Sequence, residues 1–226
     1  MLQREDFTAE RLQLLAQAAL KHGEMPFITD VQRAASLQAV RDAIPAGQDV
    51  WIFGYGSLMW NPAIKVVESR KARVDGYSAC FCLSLRIGRG SPEKPGLMLG
   101  LDKGDVCVGM AHRIAASDIE SELTVLWFRE MLSGAYAPQW VDVEIDSVGR
   151  RRAVTFVINR AHPRYEGGLD EDTVASRIAH GEGFLGTNRD YLYRTVDHLN
   201  ALGVTDGPLH RLAMRVHEIA KGGNRT

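Results

Sequence analysis

Three short segments of this 226-residue chain carry residue types that can do chemistry. The first is Phe53-Gly54-Tyr55-Gly56-Ser57-Leu58-Met59-Trp60. Its two glycines directly follow the apolar run Val50-Trp51-Ile52-Phe53, which suits a buried strand entering a tight loop. A strand that breaks at such a pair lets backbone N–H groups approach a ligand with no Cβ in the way. Successive N–H groups in a turn of this kind can hold a carboxylate or a developing oxyanion. The plainer reading is a tight turn with Tyr55 packed inward. A dinucleotide fingerprint is disfavoured, because Met59 stands where its third glycine belongs. Ser57 is not set in a nucleophile elbow either, since the glycine two residues beyond it is missing.

The second segment, Trp127-Phe128-Arg129-Glu130-Met131, offers a carboxylate at the edge of a bulky apolar stretch. Partial burial raises a carboxyl pKa toward the range useful for proton transfer near neutrality. The alternative is a surface carboxylate on a last helical turn, paired with Arg129. The third, Gly186-Thr187-Asn188-Arg189-Asp190-Tyr191-Leu192, opens a helix that Thr187 or Asn188 can cap, with Asp190 favourable in its first turn. Tyr191 either sends its hydroxyl into a pocket or faces a core.

Other chemistries find little support. The seven histidines are scattered, with no His-x-His or His-Glu-x-x-His pair, so no metal site is expected. Cys80-x-Cys82 is read as a strand pattern with its thiols on opposite faces, unsuited to chelation or a disulfide. Arg150-Arg151-Arg152 is most simply a solvated turn. A net charge of −1 argues against a nucleic-acid binder. The three cysteines, Cys80, Cys82 and Cys107, are too few and too odd in number for a disulfide framework and suggest a reducing compartment. The opening MLQREDFTAERLQ lacks an apolar signal core, and no long apolar run could span a membrane. A soluble, cytoplasmic protein is expected.

The elements that must position these segments read as strands first and helices later. Thr8 can cap a first helix that stops at His22-Gly23, and Asp30 a second carrying Val31, Ala34, Leu37, Val40 and Ile44. Residues 1–48 thus form an N-terminal helical extension, and 49–226 the main domain. Residues 65–114 look like β structure, with a turn at Asp75-Gly76, a loop from Gly88 to Gly96 and further strand candidates around Gly104-Asp105. Ser117-x-x-Glu120 reads as a capping box for a helix reaching about Leu132. Trp140–Ile145 and Ala153–Ile158 are two more strands, and the rest is mostly helical. The order favours an α+β fold. Short strands in quick succession can close into a barrel, although spacing alone does not establish closure.

Taken in order, Phe-Gly-Tyr-Gly-Ser-Leu after a strand, Arg129-Glu130 followed by Gly134-x-Tyr136, and Asn188-Arg189-Asp190-Tyr191-Leu192 resemble the ChaC family, its bacterial branch in particular. The likeness also takes in Arg89 to Leu97 and Gly109-Met110-Ala111, and runs from about Val50 to Leu202. The resemblance implies a γ-glutamylcyclotransferase-like fold, a small β-barrel flanked by helices. It implies the breakdown of glutathione to 5-oxoproline and Cys-Gly without metal or organic cofactor. The loop Gly54, Tyr55, Gly56, Ser57, Leu58 and Met59 would cradle the γ-glutamyl moiety, Glu130 would accept a proton, and Tyr191 would assist. One departure is visible: many eukaryotic members read Arg-Glu-Lys-Gly-Gly-Tyr, whereas Met-Leu-Ser-Gly-Ala separates Glu130 from Tyr136 here. Two alternatives stand beside this reading: a cyclotransferase for other γ-glutamyl amino acids or amines, and a non-catalytic regulatory protein on the same scaffold.

Overall fold

The computed structural model describes Arg4 and residues 28–222, so the first expected helix, capped by Thr8, lies outside the described residues. The chain forms two compact units. Of the described residues, one comprises those up to Ser78 with Leu101–Asn159, the other Ala79–Gly100 with Arg160–Gly222.

Five strands form a closed barrel: β1 (Val50–Gly54), β2 (Glu68–Leu85), β3 (Gly96–Ile114), β4 (Tyr136–Ile145) and β5 (Gly149–Ile158); β2 from Ala79 and β3 up to Gly100 are counted with the second unit. They neighbour one another in the order β1-β3-β2-β4-β5. β1 runs antiparallel to β3, from Val50↔Ile114 to Gly54↔Met110, and closes the barrel by pairing parallel to β5 at Trp51↔Ala153 and Ile52↔Val154. With partners on both edges, β1 is buried throughout, which explains its unbroken apolar run. The buried Thr155 of β5 spends its hydroxyl on the Phe53 carbonyl, 2.9 Å away.

Two helices cover this barrel, α1 (Asp30–Asp42) and α2 (Ile119–Glu130). α1 starts on a capping box in which Thr29 and Gln32 satisfy each other's backbone N–H groups. Its Leu37 and Val40 join Leu123, Leu126 and Trp127 of α2 and Ile52, Ile114 and Phe156 of the barrel in one apolar cluster. Trp127 stands edge-on to Phe156 at 5.3 Å and donates its indole N–H to Ser36. That packing fixes the end of α2, where Glu130 sits.

Five local expectations change. Arg150-Arg151-Arg152, expected as a turn, lies within β5 and pairs with Glu144, Val143 and Asp142 of β4. Thr29, not Asp30, caps α1, and Val31 is exposed. Asp75-Gly76 does not end a strand: β2 and β3 each run unbroken, and Gly76 absorbs the irregularity with a φ of +81°. Ser117 makes no capping box; it lies in a 3₁₀ turn, Ala116–Asp118, while Glu120 pairs with Arg41. The thiols of Cys80 and Cys82 lie within 4.8 Å of each other, because alternate residues of a strand share a face.

The second unit contains α3 (Glu171–His180), α4 (Asn188–Ala201), α5 (Pro208–Gly222) and a minimal hairpin, β6 (Glu182–Gly183) with β7 (Gly186–Thr187). Asp170 caps α3, and Thr187 caps α4 by accepting from the Asp190 N–H at 3.2 Å. Asn188 bonds both the N–H and the carbonyl of Leu97, at 2.7 and 2.8 Å, serving as a strand partner in miniature. No helix among the described residues is long and apolar enough to cross a membrane.

Candidate active site

The glycine segment takes its shape from two separate constraints. β1 ends at Gly54, Tyr55 remains extended, and Gly56–Met59 forms one 3₁₀ turn. Gly56 has a φ of +58°, in the left-handed region where a Cβ is strained. Gly54 is needed for space: a Cβ there would lie 2.7 Å from the Cβ of Leu58, because the turn folds back over the strand end. Tyr55 is buried, and its hydroxyl donates to the Phe156 carbonyl at 2.6 Å. Leu58 and Met59 are buried too. The side chains of Tyr55, Leu58 and Met59 therefore serve the barrel. A ligand at this segment would meet backbone and Ser57, since the leading N–H groups of a helical turn have no partner within it.

Glu130 is the last residue of α2, and Met131 leaves helical geometry immediately after it. Beside it Arg129 links the helix end to the glycine turn. Its Nε lies 2.8 Å from Glu130 Oε1, one terminal nitrogen donates to Ser57 Oγ at 2.8 Å, and the other donates to the Asn61 carbonyl. The two side chains are only 9% and 16% exposed, so this ion pair is largely desolvated. Burial pushes the Glu130 carboxyl above its ordinary range; the charge and hydrogen bond of Arg129 oppose that shift without cancelling it. The result is a carboxylate tuned upward and tethered, through one guanidinium, to the glycine turn.

The structure thus brings Gly54, Tyr55, Gly56, Ser57, Leu58 and Met59 together with Glu130 in the first unit, through Arg129. Tyr191 belongs to the second. It is buried on α4, edge-on to Phe81 at 6.0 Å, with the Arg89 guanidinium 5.9 Å from its ring centre. Arg89 itself donates to the Thr187 carbonyl at 2.9 Å.

Sequence reasoning missed the clamp that Arg129 forms, although its place next to Glu130 was a signal. Replacing Arg129 by leucine removes the group that opposes the upward shift of Glu130. We expect kcat/KM to fall about 10²-fold, as for a misplaced catalytic group. The acidic limb of its pH profile should move to higher pH, and Arg129→Lys should recover part of both. A limb at the wild-type position would separate Arg129 from Glu130.

The cysteines carry a further expectation. Cys82 and Cys107 are buried in strands and act as small core residues. A Cys80, Cys82, Cys107 triple alanine variant should keep wild-type kcat per folded molecule while melting earlier. Loss of turnover in a folded variant would bring a thiol into the mechanism.

The fold places the chain in a structural class. It superposes on a crystal structure of a yeast protein described as a γ-glutamyl cyclotransferase specific to glutathione, with a TM-score of 0.67 at 19% identity, over 76% of this chain and 96% of that one. The chain belongs to the ChaC-like protein family, which matches residues 50–219. Relatives include the glutathione-specific gamma-glutamylcyclotransferase of Escherichia coli strain K12, 42% identical over 83% of this chain and 81% of that protein. Glutathione-specific gamma-glutamylcyclotransferase 1 of Homo sapiens is 32% identical over 69% of this chain and 72% of its own length.

Proposed function

We propose that this protein is a lyase that cleaves glutathione to 5-oxoproline and Cys-Gly, with Glu130 as the acid/base. The observation that carries the reading is the desolvated Glu130, raised above its ordinary range and tied by Arg129 to a turn that begins at a positive-φ glycine. Family membership and the names of the relatives supply the substrate.

The reaction needs no nucleophile from the protein. The α-amine of the γ-glutamyl group is mostly protonated near neutral pH, with a pKa of about 8, so a base must first take its proton. Glu130 accepts it. The freed lone pair attacks the γ-carbonyl carbon, forming the new C–N bond of a five-membered lactam. The carbonyl oxygen becomes an oxyanion, stabilised by backbone N–H groups between Tyr55 and Leu58. As the intermediate collapses, the original amide C–N bond breaks. The protonated Glu130 then returns its proton to the departing cysteinyl nitrogen, and the second proton of the new ring nitrogen passes to the same amine, so that Cys-Gly leaves as the ammonium and the lactam is neutral. Atoms and charge balance without water. Nucleophile and electrophile belong to one molecule, so the protein's main task is to hold a near-attack geometry. We assign Tyr191 a supporting role toward the substrate. The setting we propose is the cytoplasm, with a small molecule, and neither nucleic acid nor membrane, as the partner.

A substrate panel tests this reading. Glutathione should yield 5-oxoproline, whereas N-acetylglutathione, whose amine is masked, should be inert. Other γ-glutamyl amino acids should turn over slowly. Cleavage of the N-acetyl compound at the glutathione rate would mean that the attacking group is not the substrate's amine. Equal rates across γ-glutamyl dipeptides would widen the substrate class.

A further inference from the structure

His112 has no proton to move in the mechanism above, yet it is 2% exposed in the barrel wall. It sits on β3 opposite Ile52 of β1. Both ring nitrogens are engaged. Nε2 lies 2.9 Å from the Leu58 carbonyl oxygen, and Nδ1 lies 2.7 Å from the hydroxyl of Ser69 on β2. A carbonyl can only accept, so Nε2 carries the proton, and Nδ1 of the neutral ring accepts from Ser69. Burial keeps the ring below its ordinary pKa, and the positive charge of Arg129 acts in the same direction; the Leu58 hydrogen bond opposes them. The imidazole is therefore held in one tautomer and one orientation. Burying so polar a ring is costly unless its hydrogen bonds are made. Here they are made, and one of them is aimed at the glycine turn.

We infer that His112 is a positioning residue for the proposed reaction: it fixes the Leu58 peptide and thereby the direction in which the N–H groups of the Gly56–Met59 turn point. This inference rests on the functional reading above. Because a peptide unit is planar, holding the Leu58 carbonyl also sets the Met59 N–H, which points the opposite way. In a helical turn the carbonyls face the C-terminal end and the N–H groups the N-terminal end. Drawing the Leu58 carbonyl to His112 therefore aims the leading N–H groups of Gly56 and Ser57 away from the barrel wall. A single helical turn is too short to hold its own geometry. His112 steadies it from the Leu58 carbonyl, and Arg129 from the Ser57 hydroxyl.

The test compares wild type with His112→Leu, His112→Gln and Ser69→Ala. Melting temperature, the rate of 5-oxoproline formation against glutathione concentration, and amide hydrogen exchange at Gly56 to Met59 are read for each. His112→Leu removes the donor and should lower kcat about 10²-fold with KM nearly unchanged, the mark of a misplaced oxyanion site. His112→Gln keeps an N–H donor and should recover much of the loss. Ser69→Ala should cost several-fold, by loosening the ring. Exchange in the turn should quicken in the leucine variant and less in the glutamine variant. A folded His112→Leu protein with wild-type kcat and exchange overturns the inference. Should that variant not fold, wild-type kcat and exchange in Ser69→Ala overturn it equally. If wild type itself makes no 5-oxoproline, the functional reading fails, and the exchange data alone decide whether His112 holds the turn.

Discussion

Replacing Glu130 by glutamine is expected to abolish 5-oxoproline formation, a loss of at least about 10² to 10⁴ in kcat, while the protein stays folded and binds glutathione. The amide fits where the carboxyl sits, at the end of α2, but cannot take a proton from the substrate's ammonium group. Stability should move the other way. Burial raises the folded-state pKa of Glu130, so its favourable contribution is complete below the unfolded-state value and lost as pH rises through the folded one. Glutamine resembles the protonated form at every pH. The variant should therefore melt no earlier than wild type above the folded pKa, with its relative advantage shrinking in acid. For the wild type, kcat/KM should decline toward acid with a midpoint above the ordinary carboxylate range, as Glu130 becomes protonated before substrate binds. Near-wild-type turnover by Glu130→Gln would remove the residue from the chemistry.

Gly56→Ala is the second large effect. A φ of +58° costs an alanine about 1–2 kcal/mol, which predicts a melting point lower by only a few degrees. The turn that begins at this residue bears the proposed oxyanion donors, and a shift of about 1 Å there costs about 10²-fold in rate. We therefore expect kcat/KM to fall far more than stability does. Ser57→Ala should be milder, because the backbone N–H at that position remains; its cost comes through Arg129, which donates to the Ser57 hydroxyl. Activity per folded molecule unchanged in Gly56→Ala, with early melting, would make the loop scaffold only.

How much of this was legible beforehand differs by element. β1 could be read because a strand buried on both faces shows as an unbroken apolar run, and its end because two glycines follow it. The cap at Thr187 is local chemistry and was equally visible. The long strands were not. Gly76 and Gly104 have the composition of turns, and only pairing across the barrel shows that β2 and β3 pass straight through them. Glu130 was singled out for its apolar surroundings and for the family motif, whereas its link to the glycine turn depends on Arg129 reaching Ser57, 72 positions away in the chain. His112 gave no signal at all: an isolated histidine in an apolar strand shows its two hydrogen-bond partners only once β2, β3 and the turn are assembled. The thiols of Cys80 and Cys82 were assigned to opposite faces, although the two-residue period of a strand puts them on one.

The central claim is that the substrate's own amine closes the ring, and the fate of solvent oxygen tests it most directly. Purified protein is incubated with glutathione in ¹⁸O-labelled water, and the products are identified by mass spectrometry. Intramolecular attack predicts 5-oxoproline and Cys-Gly in equal amounts, with no ¹⁸O in the 5-oxoproline. Glutamate carrying one ¹⁸O in place of 5-oxoproline would show that water, not the amine, attacks the γ-carbonyl, and would contradict the account.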